Sequence, residues 1–271
     1  MPNPTVSAEP APDLFDRRRR ALARDRAARA GPELFLHERA FAECLDRIAG
    51  VRRRFASALL IGIPDPNWAA RLAAHPGVMT VDALDPGALF AAHAAGIHAE
   101  EDSYDFGTAR FDLVVAIGTL DTVNRLGPAL QAIRRAMTPD ALFIGAMAGG
   151  DSLATLRRAM LTADRATGPA AARTHPRIEP SALAALLGAA GFVMPVVDVD
   201  RIVLRYESLP ALVRDLRAMG ASNMLAGQAP GRGRAWAALA GTAFESEAED
   251  GRTAERIDLL HFIGWTPPRH K

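Results

Sequence analysis

Cysteine is nearly absent from this chain of 271 residues, which contains Cys44 alone. A single thiol excludes an internal disulfide framework and any metal site built from several cysteines, and it fits a reducing compartment. Cys44 falls between Phe41, Leu45 and Ile48 at helical spacing. This pattern predicts a buried structural thiol rather than a nucleophile.

Other sequence signals of specific chemistry are also missing. The seven histidines form no His-x-His or His-x-x-x-His pair, so the sequence predicts no metal site. No Gly-x-Ser-x-Gly elbow and no Walker phosphate loop occurs. Nothing after the first predicted strand supplies the Gly-x-Gly-x-x-Gly turn of a dehydrogenase.

Charge and hydropathy narrow the range of partners. The formal net charge is +1, and Lys271 is the only lysine among 32 basic residues. Such a chain has no overall field that would attract nucleic acid. No apolar run approaches the ~20 residues of a membrane span, and the N-terminus lacks the pattern of a signal peptide. We therefore expect a cytoplasmic protein with no nucleic-acid partner and no membrane span.

Strand and helix patterns alternate through most of the chain. Apolar runs at 57–63, 111–117 and 141–147 have the length and flanks of buried strands, and amphipathic helices separate them. This alternation predicts an α/β fold with a doubly wound, mostly parallel sheet. Later strands are predicted at 192–198 and 201–206, and a closing strand at 255–265.

Composition divides the chain into five segments. Residues 1–12 are predicted to be a disordered tail and residues 13–50 an N-terminal helical lid. Residues 51–206 form the α/β core, and residues 207–254 form a helical insertion with a flexible loop at 227–233. Residues 255–271 form the closing strand and tail. The first lid helix carries seven arginines, which suit either a solvated surface helix or a lid that closes over an anionic substrate or partner.

The first strand and its turn, residues 57–71, lie where an α/β protein holds a nucleotide. The strand is followed by Pro64, Asp65 and Pro66, which is turn chemistry. Asn67 is predicted to cap a helix that begins with Trp68.

Residues 111–115, Phe-Asp-Leu-Val-Val, carry a resemblance to a known family. The chain resembles the class I S-adenosylmethionine-dependent methyltransferases. It is similar to the branch of the biotin-synthesis malonyl-carrier methyltransferases and the mitochondrial complex I assembly-factor proteins. Residues 143–153 and 209–223 look like the assembly-factor side. The resemblance implies a seven-stranded Rossmann-like sheet with an antiparallel last strand, and S-adenosylmethionine as the cofactor above the first two strands.

The first turn departs from that family. There the first strand ends in an acid followed by Gly-x-Gly-x-Gly, because the cofactor lies against bare backbone. On this chain the acid falls at Leu60 and the glycines fall at Gly62, Pro64 and Pro66, so one position of four is kept. Proline adds a ring and removes an N–H donor, which predicts weak or absent S-adenosylmethionine binding.

The other cofactor positions follow from the resemblance alone. It implies that Asp85 contacts the ribose, that Glu100 or Glu101 contacts the adenine amine, and that backbone after the fourth strand lines the sulfonium. A helix-start turn explains Asp85 equally well, and a solvated loop explains either glutamate. The implied cofactor-binding residues are Gly62, Ile63, Asp85, Pro86, Glu100, Glu101, Gly118 and Thr119.

Two further polar residues follow the fourth predicted strand. Asp121 stands where the branch commonly has histidine. Asn124 is predicted to be the N-cap of the next helix.

Two functions stay open on the sequence. An active methyltransferase would work by holding a nucleophile against the methyl group, and the sequence assigns no catalytic residue. A degenerate member would instead bind a protein partner, as an assembly or scaffold factor for a respiratory complex. A modified reaction such as protein hydroxylation is implied by the resemblance only.

Overall fold

Residues 12–227 and 233–269 are described by the structure, which is a computed structural model. All but one residue of the predicted tail and most of the predicted loop at 227–233 lie outside these ranges.

In chain order the helices are α1 (Arg17–Ala30), α2 (Phe35–Ala49), α3 (Trp68–Ala73), α4 (Ala88–His93), α5 (Leu126–Ala136), α6 (Ala154–Thr167), α7 (Pro180–Ala189), α8 (Leu209–Ala218) and α9 (Arg234–Glu245). The strands are β1 (Ala58–Ile61), β2 (Val81–Asp85), β3 (Ile97–His98), β4 (Phe111–Ile117), β5 (Met137–Gly149), β6 (Val193–Tyr206), β7 (Ala248–Glu249) and β8 (Arg252–Trp265).

One sheet runs through the centre of the molecule in the order β3-β2-β1-β4-β5-β8-β6, with the short β7 beside β8. The pairs from β3 to β5 are parallel, and β8 is antiparallel to both β5 and β6. These seven strands and the antiparallel last strand confirm the fold expected from the sequence.

The first strand shows why its residues are all apolar. Ala58 and Leu60 of β1 belong to one buried cluster, whereas Leu59 and Ile61 belong to another on the opposite face of the sheet. A strand that is covered on both faces must be apolar at every position rather than at alternate ones. Helices α2, α3, α6, α8 and α9 supply residues to the first cluster, and α5 and α7 supply the second.

Several predicted boundaries were wrong for identifiable reasons. The predicted strands at 192–198 and 201–206 are one continuous strand, β6, because its pairing with β8 runs without interruption from Val196 to Tyr206. A β-bulge between Val193 and Val196 precedes this regular part. The sequence also predicts a strand over residues 78–84, but β2 begins at Val81, and Val78 forms only an isolated bridge with Phe55. Pro86 is predicted from the sequence to open a helix, but α4 begins at Ala88, two residues later.

Two asparagines do not cap helices as the sequence predicted. Asn67 occupies the N-cap position of α3, but its side chain bonds to Asp65 and makes no cap. Asn124 precedes the cap position of α5. Its amide instead accepts from Phe15 N at 2.7 Å and donates to Phe15 O at 2.9 Å. Asn124 therefore holds the chain just before α1 against the loop after β4.

Within the described residues, no helix combines the length and the apolar composition needed to cross a membrane.

Candidate functional site

The candidate site lies at the carboxyl ends of β1, β2 and β4, where open α/β sheets bind ligands. Gly62 follows β1 with φ +85°, and its N–H donates to Leu84 O at 2.8 Å. A Cβ at this position would overlap the carbonyl group of Ile117. The one glycine that the turn keeps is thus required by its backbone conformation and by the close approach of β4.

The turn after Gly62 is packed into the protein interior and leaves no open backbone for a ligand at Ile63 and Pro64. Ile63 is fully buried and donates its N–H to Asp85 Oδ2 at 2.8 Å. Pro64 is also buried, whereas Pro66 is exposed. The ring of Pro64 therefore takes up interior space where the family has glycine, and it offers no N–H.

Trp68 anchors the helix that follows the turn. Its ring is fully buried and stacks on Phe41 of α2, with the centroids 4.3 Å apart and 11° between the planes. Its Nε1 donates to Glu38 at 3.0 Å, and Glu38 also accepts two hydrogen bonds from Arg71. The lid helix α2 is therefore locked to the turn by stacking and by a shared carboxylate.

Asp85 ends β2 and has no exposed surface. Arg24 of α1 donates Nε and Nη2 to its two carboxylate oxygens, at 2.7 and 2.5 Å. The N–H groups of Ile63 and Gly87 donate to the same carboxylate at 2.8 and 2.7 Å. The carboxylate that the resemblance assigns to the ribose is therefore fully engaged by groups of the chain itself.

Glu101 is equally engaged by α1. It is fully buried, and Arg20 donates to its two oxygens at 2.7 and 3.0 Å. Burial is the largest single effect on the pKa of Glu101 and raises it, but the charge of Arg20 and the hydrogen bonds to the carboxylate together lower the pKa overall. Arg20 also reaches Glu100 at 2.5 Å, and there burial prevails and raises the pKa of Glu100.

The remaining donors of Arg20 go to the loop after β4. Nη2 donates to Thr119 O at 2.7 Å, and Nε donates to Thr122 Oγ1 at 3.1 Å. The guanidinium is only 1% exposed, which is rare for arginine and requires this complete set of partners. The backbone carbonyl of Thr119 is thus also engaged by α1.

The arginines of α1 that pair with these acids share one helix face. Arg17, Arg20 and Arg24 are three and four residues apart, and Arg17 holds Asp102 through two bonds of 2.6 and 2.9 Å. Spacings of three and four place side chains on one side of a helix. The sequence shows this spacing, yet neither interpretation of the arginine-rich helix considered that it faces acids of its own chain.

Pro86 and Gly87 complete the closed site. Pro86 is buried. A Cβ on Gly87 would lie 2.7 Å from Cβ of Arg24. The backbone after β2 therefore packs directly against α1, and the glycine makes that contact sterically possible.

Gly118 faces a histidine instead of open space. It has φ +63°, and a Cβ there would lie 2.7 Å from Cδ2 of His37. Burial, assisted by the charge of Arg24, lowers the pKa of His37 to about 4. A neutral imidazole from α2 therefore packs on the backbone that the resemblance assigns to the sulfonium.

A cavity of about 90 Å³ remains beside His37, between the ends of β4 and β5 and helix α8. Ligand pockets usually measure roughly 300–1,000 Å³, so this cavity is small. Its walls are mainly apolar, with a buried ion pair between Asp121 and Arg177 at 2.6 Å. Asp121, whose role the sequence left open, thus has a partner in its own chain.

His175 closes the other side of the cavity. Its Nε2 accepts from Met224 N at 3.0 Å, and its ring meets Phe15 edge-on at 5.2 Å. Burial lowers its pKa to about 4. Within residues 12–227 and 233–269, no group of three His, Cys, Asp or Glu side chains could hold a metal ion.

In this arrangement the residues present do not fit S-adenosylmethionine. The two carboxylates that would bind the ribose and adenine are held by Arg24 and Arg20, and Pro64 replaces a backbone donor. A cofactor could bind only if α1 moved away. Whether the residues assigned by resemblance can bind S-adenosylmethionine in another arrangement stays a prediction.

Comparison with known proteins reveals relatives of two kinds. The chain is 31% identical to the mitochondrial arginine-hydroxylase NDUFAF5 of Mus musculus over 280 residues, which cover 97% of this chain and 80% of that protein. It is 33% identical to NDUFAF5 of Danio rerio over 184 residues, which span 63% of this chain and only 54% of that relative. It is 32% identical to the malonyl-(acyl-carrier protein) O-methyltransferase of Laribacter hongkongensis over 190 residues, covering 68% of this chain and 61% of the enzyme. No protein-family model matches the chain.

Solved structures share the fold. The YcgJ protein of Bacillus subtilis aligns with a TM-score of 0.57 at 12% identity, covering 86% of this chain and 100% of that one. The N-methyltransferase NodS of Bradyrhizobium japonicum, solved with S-adenosyl-L-homocysteine, aligns with a TM-score of 0.50 at 14% identity, covering 92% and 99%. At such identities the likeness concerns the fold alone.

Proposed function

Because the chain belongs to the class I S-adenosylmethionine-dependent methyltransferase superfamily, we propose that it is a methyltransferase-like protein whose cofactor site is closed by its own helix α1. Within the superfamily, the chain belongs to the branch that holds NDUFAF5 and the malonyl-carrier methyltransferases. In this proposal it works by binding a protein partner rather than by methyl transfer. The similarity to the assembly-factor side of the branch supports a role as an assembly or scaffold factor for a respiratory complex.

One observation carries this proposal: the pairing of Asp85 and Glu101 with Arg24 and Arg20. S-adenosylmethionine would have to displace two buried guanidinium groups from carboxylates that have no exposed surface. Breaking one buried pair by removing a partner costs about 3–5 kcal/mol, because the remaining charge is left uncompensated. Breaking both would consume most of the roughly 8 kcal/mol that a micromolar ligand provides.

A thermal-shift titration with S-adenosylmethionine and S-adenosylhomocysteine tests the proposal. A ligand at 100 times its Kd stabilises the folded state by about 2.7 kcal/mol, which raises Tm by several degrees. We expect no shift at about 1 mM ligand, a concentration 100 times a Kd of roughly 10 µM. The Laribacter methyltransferase, measured in parallel, is the positive control.

A second candidate function is methyl transfer gated by α1. It is favoured by Gly62 and Gly118, which keep φ of +85° and +63° at positions where the family places the cofactor; His37 would have to leave Gly118 before a cofactor could approach it. A variant with Arg20→Gln and Arg24→Gln separates the candidates. Binding of S-adenosylmethionine by the variant but not by the wild type would favour gating. Binding by neither, by a variant that still unfolds cooperatively on heating, would favour a site that has been lost.

A further inference from the structure

Strand β6 leaves one edge of the sheet open. It pairs with β8 on one side, and within the described residues no strand pairs with its other side. Within the described part of the chain, the backbone groups of residues 196–206 make no hydrogen bonds other than those of the β6–β8 ladder. Unpaired edges of this length invite another strand, and proteins usually protect them with a bulge, proline, charged side chains along the edge or an inward charge. Here Pro195 and the bulge lie only at the start of the strand.

The exposed side of β6 alternates valine with arginine. Val199, Arg201, Val203 and Arg205 lie two residues apart and so point to one face of the sheet. Val203 is 59% exposed and Val199 is 36% exposed, and both arginines are exposed. A strand face that is apolar and basic at alternate positions is therefore presented directly at the open edge.

The two arginines of this face lack partners within residues 12–227 and 233–269. Neither Arg201 nor Arg205 has an ion pair or a side-chain hydrogen bond there. Arg201 lies opposite Asp258 of β8, but that carboxylate is buried and interacts with Arg256 at 3.1 Å. By contrast, many other arginines of the chain hold a carboxylate. The unpaired positive charges of β6 therefore coincide with its unpaired backbone.

Acids of β6 do not balance these charges, because they lie on the other face. Asp198 and Asp200 alternate with the exposed residues and are held by Arg47 and Arg39 of helix α2, at 2.8 and 2.5 Å. The face that bears Arg201 and Arg205 is thus positive, while the opposite face is already neutralised.

A second copy of the chain is a poor partner for this edge. Antiparallel pairing of two β6 strands about a twofold axis perpendicular to the sheet keeps equivalent faces on the same side. Arg201 and Arg205 of both copies would then lie on one face, and like charges across strands are destabilising. An added strand with acids opposite the arginines and apolar residues opposite the valines would satisfy both charge and burial.

We propose that the open edge of β6 binds an extended acidic segment of a partner protein as an added strand, with its carboxylates on Arg201 and Arg205 and its apolar residues on Val199 and Val203. Main-chain hydrogen bonds would supply affinity, and the alternating side chains would supply specificity. This inference deepens the proposed function, since it assigns the chemistry of the partner.

A labelled peptide tests the proposal directly. The probe is Thr-Glu-Thr-Val-Thr-Glu-Thr-Val-Thr with an N-terminal fluorophore, and its anisotropy is measured against increasing concentrations of the full chain. We expect saturable binding, with slower hydrogen exchange of residues 196–206 in the bound state. The same peptide with Lys in place of Glu should bind about tenfold more weakly, because attraction becomes repulsion.

A matched pair of protein variants completes the design. Arg201→Glu with Arg205→Glu should weaken binding about tenfold. Arg135→Glu with Arg165→Glu changes the net charge equally at exposed sites on other elements and should leave binding within about twofold. Unchanged thermal unfolding would verify that each variant folds. Equal binding by both variants would overturn the proposal, as would protection of residues 196–206 that grows with protein concentration in the absence of peptide.

The outcome is separable from that of the cofactor titration. Peptide binding together with S-adenosylmethionine binding would leave this surface standing and overturn the proposed function. If neither the peptide nor S-adenosylmethionine binds, the proposed binding surface on β6 is overturned and the proposed function stands.

Discussion

Replacing Arg24 by methionine should destabilise the protein through the carboxylate that it leaves behind. Arg24 holds both oxygens of Asp85 at 2.7 and 2.5 Å, and Asp85 has no exposed surface. Removing one member of a buried ion pair costs about 3–5 kcal/mol. Two backbone N–H groups would still donate to Asp85 in the variant, so we expect about 3 kcal/mol, the lower end of that range.

A double-mutant cycle with Asp85→Asn isolates the pair itself. Asparagine keeps one carbonyl oxygen for the backbone donors and removes the charge that Arg24 neutralises. We expect the double variant to be more stable than the sum of the two single effects by about 2 kcal/mol. Urea unfolding followed by tryptophan fluorescence measures each free energy, since Trp68 is fully buried in the native state.

Arg157→Met provides a control at the surface. Its ion pair with Asp151 leaves the two side chains 43% and 54% exposed, so its loss should cost less than about 1 kcal/mol. A coupling energy between positions 24 and 85 below about 0.5 kcal/mol would refute the reasoning. It would mean that α1 does not occupy the site in solution.

Three further predictions concern single residues. Gly62→Ala should cost several kcal/mol of stability or prevent folding, because its Cβ would overlap Ile117. Gly241→Ala in α9 is the control: its Cβ meets no other atom, so the variant should be about 1 kcal/mol more stable in the same urea assay. His37 has a folded pKa of about 4 against 6.5 when unfolded, so its protonation in the unfolded chain should remove about 3 kcal/mol of stability as the pH falls from 6.5 to 4. In a pH series of unfolding curves the loss over this range should be smaller by about that amount in His37→Gln, while the similar contribution of His175 remains. Cys44 is buried, and burial raises its pKa to about 12, so Ellman's reagent should react only after unfolding; fast reaction of the native protein would contradict the packing of α2.

Much of the fold could be predicted because its signals are local. Strands β1, β4 and β5 are buried on both faces, and their apolar runs are visible in the sequence without knowledge of their neighbours. The continuity of β6 was not predictable from these runs, because it depends on unbroken pairing with β8 from Val196 to Tyr206.

The candidate site was less predictable, since resemblance pointed to its acids but not to the arginines that hold them. The pairs Arg24–Asp85 and Arg20–Glu101 join residues that are 61 and 81 positions apart. An arginine-rich helix is compatible with a solvated face, a lid or an internal partner, and only the packing of α1 against the loops after β2 and β4 decides among them. Resemblance located the carboxylates, but it could not reveal that this chain neutralises them itself.

Asn124 illustrates the same limit at a single residue. Its amide suits both uses, because an N-cap needs only the side-chain oxygen as acceptor, whereas pairing with another backbone segment also uses the NH2 group as donor. The choice is made by Phe15, which lies 109 residues away.

Calorimetric titration of the wild-type chain with S-adenosylmethionine is the most direct test of the central claim that α1 closes the cofactor site. With Asp85 and Glu101 held by Arg24 and Arg20, we predict no saturable heat up to about 1 mM ligand, which corresponds to a binding free energy weaker than about −4 kcal/mol. A one-site isotherm with a Kd of about 10 µM or lower would contradict the account.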